Sequence, residues 1–136
     1  MVFRKYYPHD LWYVLNRDTV AKLGFSTEDN VDSHTNWTAI SGRRILGCGG
    51  FRKFWRGVYE CWLAAEYKDF YLHKYQAIHF IQRKLDEFNA HRLQATIIES
   101  SPRDIHFAEV LGFSYEGHLR KYGPDGQTYV MYSLVK

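Results

Sequence analysis

Cysteine, proline and long apolar runs are scarce in this chain, and each shortage removes a class of protein. Only two cysteines and three prolines occur in 136 residues. Cys48 and Cys61 form neither a CxxC nor a zinc-ligand spacing, so a disulfide-stapled or zinc-held scaffold is excluded and a reducing compartment, the cytoplasm, is expected. No apolar stretch approaches the ~20 residues that a bilayer demands. The opening MVFRKYYPHD carries no apolar core of a signal peptide, so no export and no membrane partner are expected. Charge of one sign is also in short supply. A net charge of +3 and a pI of about 8.8 are too weak a bias to call for nucleic acid, while they suit an anionic small molecule or an acidic partner. Seven histidines form no HExxH, and His73 and His79, six apart, face different sides of a helix, so no metal centre is expected. Repeats, linkers and low-complexity tracts are missing too, which makes residues 1–136 a single expected domain.

Aromatic residues are what the chain has in quantity. They make up 18% of it within a hydrophobic content of 46%, enough for an ordinary core without staples. Val2 to Tyr6 reads as an opening strand. Pro8 and Asp10 suit the first turn of a helix through Leu11-Trp12-Tyr13-Val14-Leu15, and a second short helix is read from Thr19 to Leu23, ended by Gly24. Ser26 to Ser33 is acidic and polar, as in a surface loop. Three strands follow, Trp37 to Ile40, Arg44 to Phe54 and Val58 to Ala65, separated by Ser41-Gly42 and Arg56-Gly57 at hairpin spacing. Glycines 47, 49 and 50 in the middle strand imply a bulge or a closely approaching backbone. Cys48 between them reads as a nucleophile or, with more weight, as buried packing. The run Phe51-Arg52-Lys53-Phe54-Trp55-Arg56 reads as a hairpin with its aromatic face covered, in preference to a stacking surface.

A long helix is expected from Leu72 to Ala90, its stripe Leu72, Tyr75, Ile78, Ile81, Leu85 and Phe88 lying on a sheet. Leu93 to Ile98 is a strand. Ser101 and Pro102 are N-cap and first residue of a helix whose apolar positions Ile105, Phe107, Ala108, Val110 and Leu111 end at Gly112. Alternation then begins at Phe113 and runs to Leu119, with Glu116 and Arg120 placed to bridge on one strand face. Pro124-Asp125-Gly126 is a turn, and Thr128 to Val135 is the returning strand. The order β, α, α, β, β, β, α, β, α, β, β predicts an α/β (α+β) domain: a mixed, mostly antiparallel, twisted sheet of about seven strands with helices on both faces.

The last third carries a resemblance. HRLQATIIESSPRDIHFAEVLGFSYEGHLRKYGPDG resembles the GNAT superfamily of acetyl-CoA-dependent N-acetyltransferases in His91-Arg92-Leu93, Ile105, Leu111-Gly112-Phe113, Glu116-Gly117 and Leu119-Arg120. The tail also resembles small GNAT-like proteins encoded by phages, which implies host cytoplasm or virion as its setting. The superfamily resemblance implies acetyl transfer from acetyl-CoA to a primary amine of a protein or small molecule. It implies that the pantetheine arm pairs with backbone where two parallel strands, Glu60 to Ala65 and Leu93 to Glu99, splay apart, with Leu63, Ala64 and Ala65 as cofactor-binding positions. The diphosphate loop falls on Lys68, Asp69, Phe70, Tyr71, Leu72 and His73, where Tyr71 and His73 occupy the positions of family glycines. Either the loop takes another path, with Lys68, His73 and Lys74 meeting the phosphates by charge, or coenzyme A is no longer bound.

Acetyl transfer also needs a base for the ammonium and a proton donor for the thiolate. The family's usual tyrosine donor falls on Ala108 and its usual asparagine on Ser101. Tyr115, Tyr122 or His106 could substitute as donor, and Glu60 or Glu99 as base. A second class of protein stays open beside the enzyme: a catalytically silent GNAT fold serving as an interaction or virion-associated module, with Phe54 and Trp55 in its contact surface.

Overall fold

The computed structural model describes residues 1–15 and 35–136. The helix read at Thr19 to Leu23 and the loop read at Ser26 to Ser33 lie outside the described residues. Seven strands form one mixed sheet: β1 (Val2–Lys5), β2 (Asn36–Ser41), β3 (Arg44–Trp55), β4 (Val58–Ala65), β5 (Arg92–Ile98), β6 (Ser114–Leu119) and β7 (Tyr129–Val135), in the order β1-β2-β3-β4-β5-β7-β6. The pairs β1/β2, β2/β3, β5/β7 and β6/β7 are antiparallel, and β4/β5 is parallel. The helices are α1 (Leu11–Val14), α2 (Tyr67–Phe70), α3 (Lys74–Glu87) and α4 (Pro102–Val110), with tighter 3-10 turns at Pro8–His9–Asp10 and Tyr71–Leu72–His73. Contacts gather the chain into two compact units, Met1–Arg52 with Cys61–His79, and Lys53–Glu60 with Phe80–Lys136.

The first unit is built on a core of Tyr6, Leu11, Cys48 and Ala64, with Val14, Leu15 and Trp62 packed against it. It also buries polar groups. Asp10, 1% exposed, accepts both Arg4 guanidinium nitrogens at 2.7 and 2.9 Å, the Tyr7 amide at 2.9 Å and the Thr38 hydroxyl at 2.7 Å. Asn36 is equally buried and accepts the Trp62 indole N–H at 2.8 Å. Each is satisfied, as buried polar groups must be. The glycines of β3 serve both purposes expected of them. Pairing of β2 with β3 shifts register at Ala39/Ile40, a bulge, and a Cβ on Gly49 would stand 2.5 Å from the Trp62 carbonyl oxygen, so only glycine lets β3 run this close to β4.

The second unit buries Leu85, Ala90, Leu93, Ala108, Phe113, Val130 and Tyr132. Tyr59 meets Phe88 edge to face at 4.6 Å. Gln82 of α3 reaches the Val110 carbonyl of α4 at 3.4 Å, so the two helices are neighbours, as two right-handed crossovers in the same direction dictate. Lys136 donates to the Phe88 carbonyl at 2.9 Å and to that of Leu85, satisfying the open end of α3. Gly112 takes φ 96°, the left-handed conformation that stops α4.

Two expectations about packing are corrected. The stripe of the long helix is rotated at its start: Leu72 and Tyr75 are exposed, and Phe70 and Ala77 are buried instead. The cause is the 3-10 turn at Tyr71–His73, whose three residues per turn break the 3.6-residue phase assumed for a single helix. The aromatic hairpin is not covered either. Beyond Phe51 every residue of β3 is exposed, Trp55 at 66%, because the register of β2 on β3 ends at Asn36 opposite Gly50.

Candidate active site

Strand β5 supplies the starting point. Its parallel register with β4 couples Val58, Tyr59 and Glu60 to Arg92, Leu93 and Gln94 and, among the described residues, ends there. On its other edge β5 stays paired to β7 through Ile98 opposite Tyr129. The Arg92 amide donates to the Gly57 carbonyl and the Glu99 amide to the Thr128 carbonyl, so alternation turns the backbone groups of Thr96 and Ile98 away from β7. The Ile98 carbonyl is taken by the Ser101 amide at 3.1 Å. Among the described residues, what is left on that edge is the Thr96 N–H and C=O and the Ile98 N–H, a short row able to pair with an amide-bearing chain.

At the end of the same strand the structure joins two of the residues proposed for catalysis. Glu99 Oε1 lies 3.0 Å from His118 Nε2, and His118 Nδ1 is hydrogen-bonded to the Tyr115 hydroxyl. All three are about half exposed. A regular strand would send residues 115 and 118 to opposite faces. They share one because β6 carries a bulge: Tyr115 opposes Tyr132 and Gly117 opposes Met131, which leaves Glu116 as the extra residue. The bulge also turns Glu116 away, into a two-pronged ion pair with Arg92 at 2.8 and 2.6 Å and a bond from the Ser133 hydroxyl. The bridge expected between Glu116 and Arg120 is therefore absent, and β6 ends before Arg120. The Arg92 pairing first, and the Ser133 hydroxyl second, hold the Glu116 carboxyl down at about 2. Tyr132, the ring against Tyr115 at 5.9 Å, bonds Glu109 of α4; burial and that carboxylate raise its hydroxyl above the ordinary tyrosine value.

Glu60 is not part of this group. It stands level with Gln94, five residues before Glu99 along β5, roughly 16 Å at the rise of a strand. Strict alternation from Tyr115 sets His118 on the opposite face, so its pairing with Tyr115 is not visible in the sequence; Gly117 inside a strand is the signal that a bulge is near.

The remaining candidates divide by environment. On β4, Leu63 is exposed, Ala64 is buried and Ala65 lies between. The segment expected as a phosphate loop is helical. α2 bonds the Phe70 amide to the Glu66 carbonyl and the 3-10 turn bonds the Lys74 amide to that of Tyr71, so these two amides are spent inside the helical segment. Asp69, which as a free charge would repel a diphosphate, is ion-paired with Arg44. Lys68 is exposed, and Lys74 Nζ sits over the rings of Tyr71 and Tyr75 at 5.4 and 5.1 Å, with His73 half-buried beside it. Ser101 stands at the N-cap of α4 as expected, but its hydroxyl donates to Asp104 Oδ2 at 2.8 Å and caps no amide. Ala108 is buried and its methyl has no proton to donate, and His106 and Tyr122 are exposed. Cys48 is buried and its thiol is pushed up to about 12, by burial first and then by Asp10; it is core, not nucleophile. Among the described residues no cluster of metal-ligating side chains occurs, and no helix is long and apolar enough to cross a membrane.

Comparison with solved structures assigns the fold. An Ard1 protein from Thermoplasma volcanium superposes with a TM-score of 0.77 at 14% identity, over 98% of this chain and 96% of that one. A variant of the spermidine N-acetyltransferase SpeG from Vibrio cholerae gives 0.71 at 18% identity, over 99% and 95%. A ribosomal-protein-alanine N-acetyltransferase from Brucella melitensis gives 0.70 at 16% identity over the whole of both chains. The chain thus has the fold of the GNAT acetyltransferases. No protein-family model and no curated protein sequence matches it.

Proposed function

We propose that residues 1–136 act as one acyltransferase domain, moving the acetyl group of acetyl-CoA to a primary amine of a protein or small molecule. The observation that carries this reading is the early end of the β4/β5 pairing at Glu60 and Gln94, with Thr96 and Ile98 presenting backbone groups beyond it. The amides of the pantetheine arm have the chemistry to pair there. With a helical segment in place of a glycine loop, the diphosphate is met chiefly by the side chains of Lys68, His73 and Lys74. Such an anchor is a set of point charges, so binding weakens with salt more than it would in a backbone cradle. Neutralisation of Asp69 by Arg44 removes the main repulsion.

Calorimetric titration with acetyl-CoA, followed by coupled detection of free thiol with spermidine and with a peptide of N-terminal alanine, tests the reading. Saturable heat at sub-millimolar ligand is expected, reduced about tenfold in affinity by Lys68→Ala with Lys74→Ala. Absence of heat at millimolar acetyl-CoA overturns it. In that event the exposed Phe54 and Trp55, flanked by Arg52, Lys53 and Arg56, favour the second reading, a silent fold used for contact with an acidic protein partner.

A further inference from the structure

The geometry points to Tyr115, His118 and Glu99 as a proton relay that deprotonates the acceptor amine, an inference that rests on the acetyl-transfer reading. Glu99 fixes the direction of the relay. An ionised carboxylate only accepts, so the 3.0 Å contact from Glu99 Oε1 requires His118 Nε2 to carry the hydrogen. Nδ1 is then a bare lone pair, and the Tyr115 hydroxyl donates to it. This is the orientation in which an imidazole can draw a proton through a hydroxyl, with a carboxylate behind it to hold the imidazolium.

The bulge at Glu116 is what creates it, since three regular strand steps from Tyr115 would turn His118 to the side occupied by Arg92, Gln94 and Ser133. Position supports the role. Glu99 immediately follows the β5 segment beyond its register with β4, and the three side chains are on the face that carries Ala95 and Ile97. Among the described residues, the charged and titratable groups bonded to His118 are Glu99 from the end of β5 and Tyr115 of its own strand, with the Tyr132–Glu109 pair of β7 and α4 behind the Tyr115 ring. No lysine or arginine pairs with Glu99 among the described contacts, so its charge is directed at the imidazole.

The bookkeeping of atoms closes. The ammonium gives one proton to the Tyr115 oxygen as the Tyr115 proton passes to His118 Nδ1. The freed nitrogen lone pair forms the N–C bond to the acetyl carbonyl, the C–S bond breaks, and its electron pair leaves on sulfur, which takes the second nitrogen proton. His118, half exposed, returns its extra proton to water, so that ammonium and thioester become amide, thiol and one released proton.

Two measurements decide. In nitrogen-15 spectra of the free protein, with His118→Asn to assign the signal, neutral His118 is expected as the Nε2–H tautomer, and Glu99→Leu is expected to abolish that preference. An Nδ1–H tautomer in the parent overturns the relay whatever the protein acetylates. In acetyl-CoA turnover with spermidine or the alanine peptide, Tyr115→Phe and His118→Ala are each expected to lower kcat by about 100-fold, with KM for acetyl-CoA within twofold. The double variant should be no slower than the worse single one. The acid limb of kcat/KM should vanish in His118→Ala, and added imidazole should restore part of its rate. A His118→Ala variant within threefold of an active parent overturns the relay alone, whereas a parent that turns over neither amine overturns acetyl transfer and the relay together.

Discussion

Asp10 and Glu99 are both carboxylates held by side-chain partners, one in each compact unit, and they differ in almost everything else. Asp10 is 1% exposed and receives four hydrogen bonds. Glu99 is 51% exposed and is met by one imidazole. Burial would push the Asp10 carboxyl up, but Arg4, the Tyr7 amide and the Thr38 hydroxyl outweigh that and keep it below the ordinary value. A charge so completely enclosed cannot exchange partners or reach a ligand, so its work is to fix β1, β2 and the turn before α1 to one another. The looser carboxylate keeps lone pairs free and a single weakly constrained neighbour, which is the state a proton-moving group requires.

The largest effect expected from breaking this contrast is at Asp10. Asp10→Ala strands the Arg4 guanidinium and the Thr38 hydroxyl and should cost about 3 kcal/mol in urea unfolding. A loss below 1 kcal/mol would mean that the enclosed network holds nothing. Next comes Gly49→Ala in the same unit, where the new Cβ must displace the Trp62 carbonyl from 2.5 Å and about 1–3 kcal/mol is expected. A melting temperature unchanged from the parent would show that β3 can yield there.

Much of the fold was legible because it is written locally. Gly112 after Leu111 reads as a helix stop and takes φ 96°; Gly126 after Pro124-Asp125 reads as a turn and takes φ 80°. The strands from Trp37 to Ala65 and from Leu93 to Val135 were found by alternation and turn residues, within two residues at each end. What escaped depends on contacts far apart in sequence. Arg92 and Glu116 are 24 residues apart, and their pairing, together with one extra residue in β6, decides which way Tyr115 and His118 face. A phase slip of one residue is invisible to periodicity, so Glu99 and Tyr115 could be named as candidates while the histidine between them could not. The rotated stripe of the long helix has the same origin, a local change of pitch at Tyr71–His73 that no apolar spacing announces.

Acid titration sharpens the comparison at an intermediate level of exposure. Glu116 is held at about 2 against an ordinary 4.5, so its contribution is fully present above about 4.5 and is lost as pH falls toward 2. Thermal melts of Glu116→Gln and the parent should therefore differ at pH 6 and converge as the pH is lowered through that window. Curves that stay parallel down to pH 2 would place the Arg92 pairing among the surface ion pairs that contribute nothing measurable.

The smallest effect belongs to Glu99, and its smallness is the point. Its one partner is half exposed, the contact is made across water-accessible surface, and no backbone amide depends on it. Glu99→Leu should therefore change urea unfolding by no more than about 0.5 kcal/mol while it alters the His118 tautomer and acetyl-CoA turnover. Stability and chemistry would then separate cleanly at one carboxylate, as they cannot at Asp10. If Glu99→Leu instead unfolds the protein as readily as Asp10→Ala does, the two carboxylates play the same part, and the Glu99–His118–Tyr115 chain is a clasp between β5 and β6 rather than a path for protons.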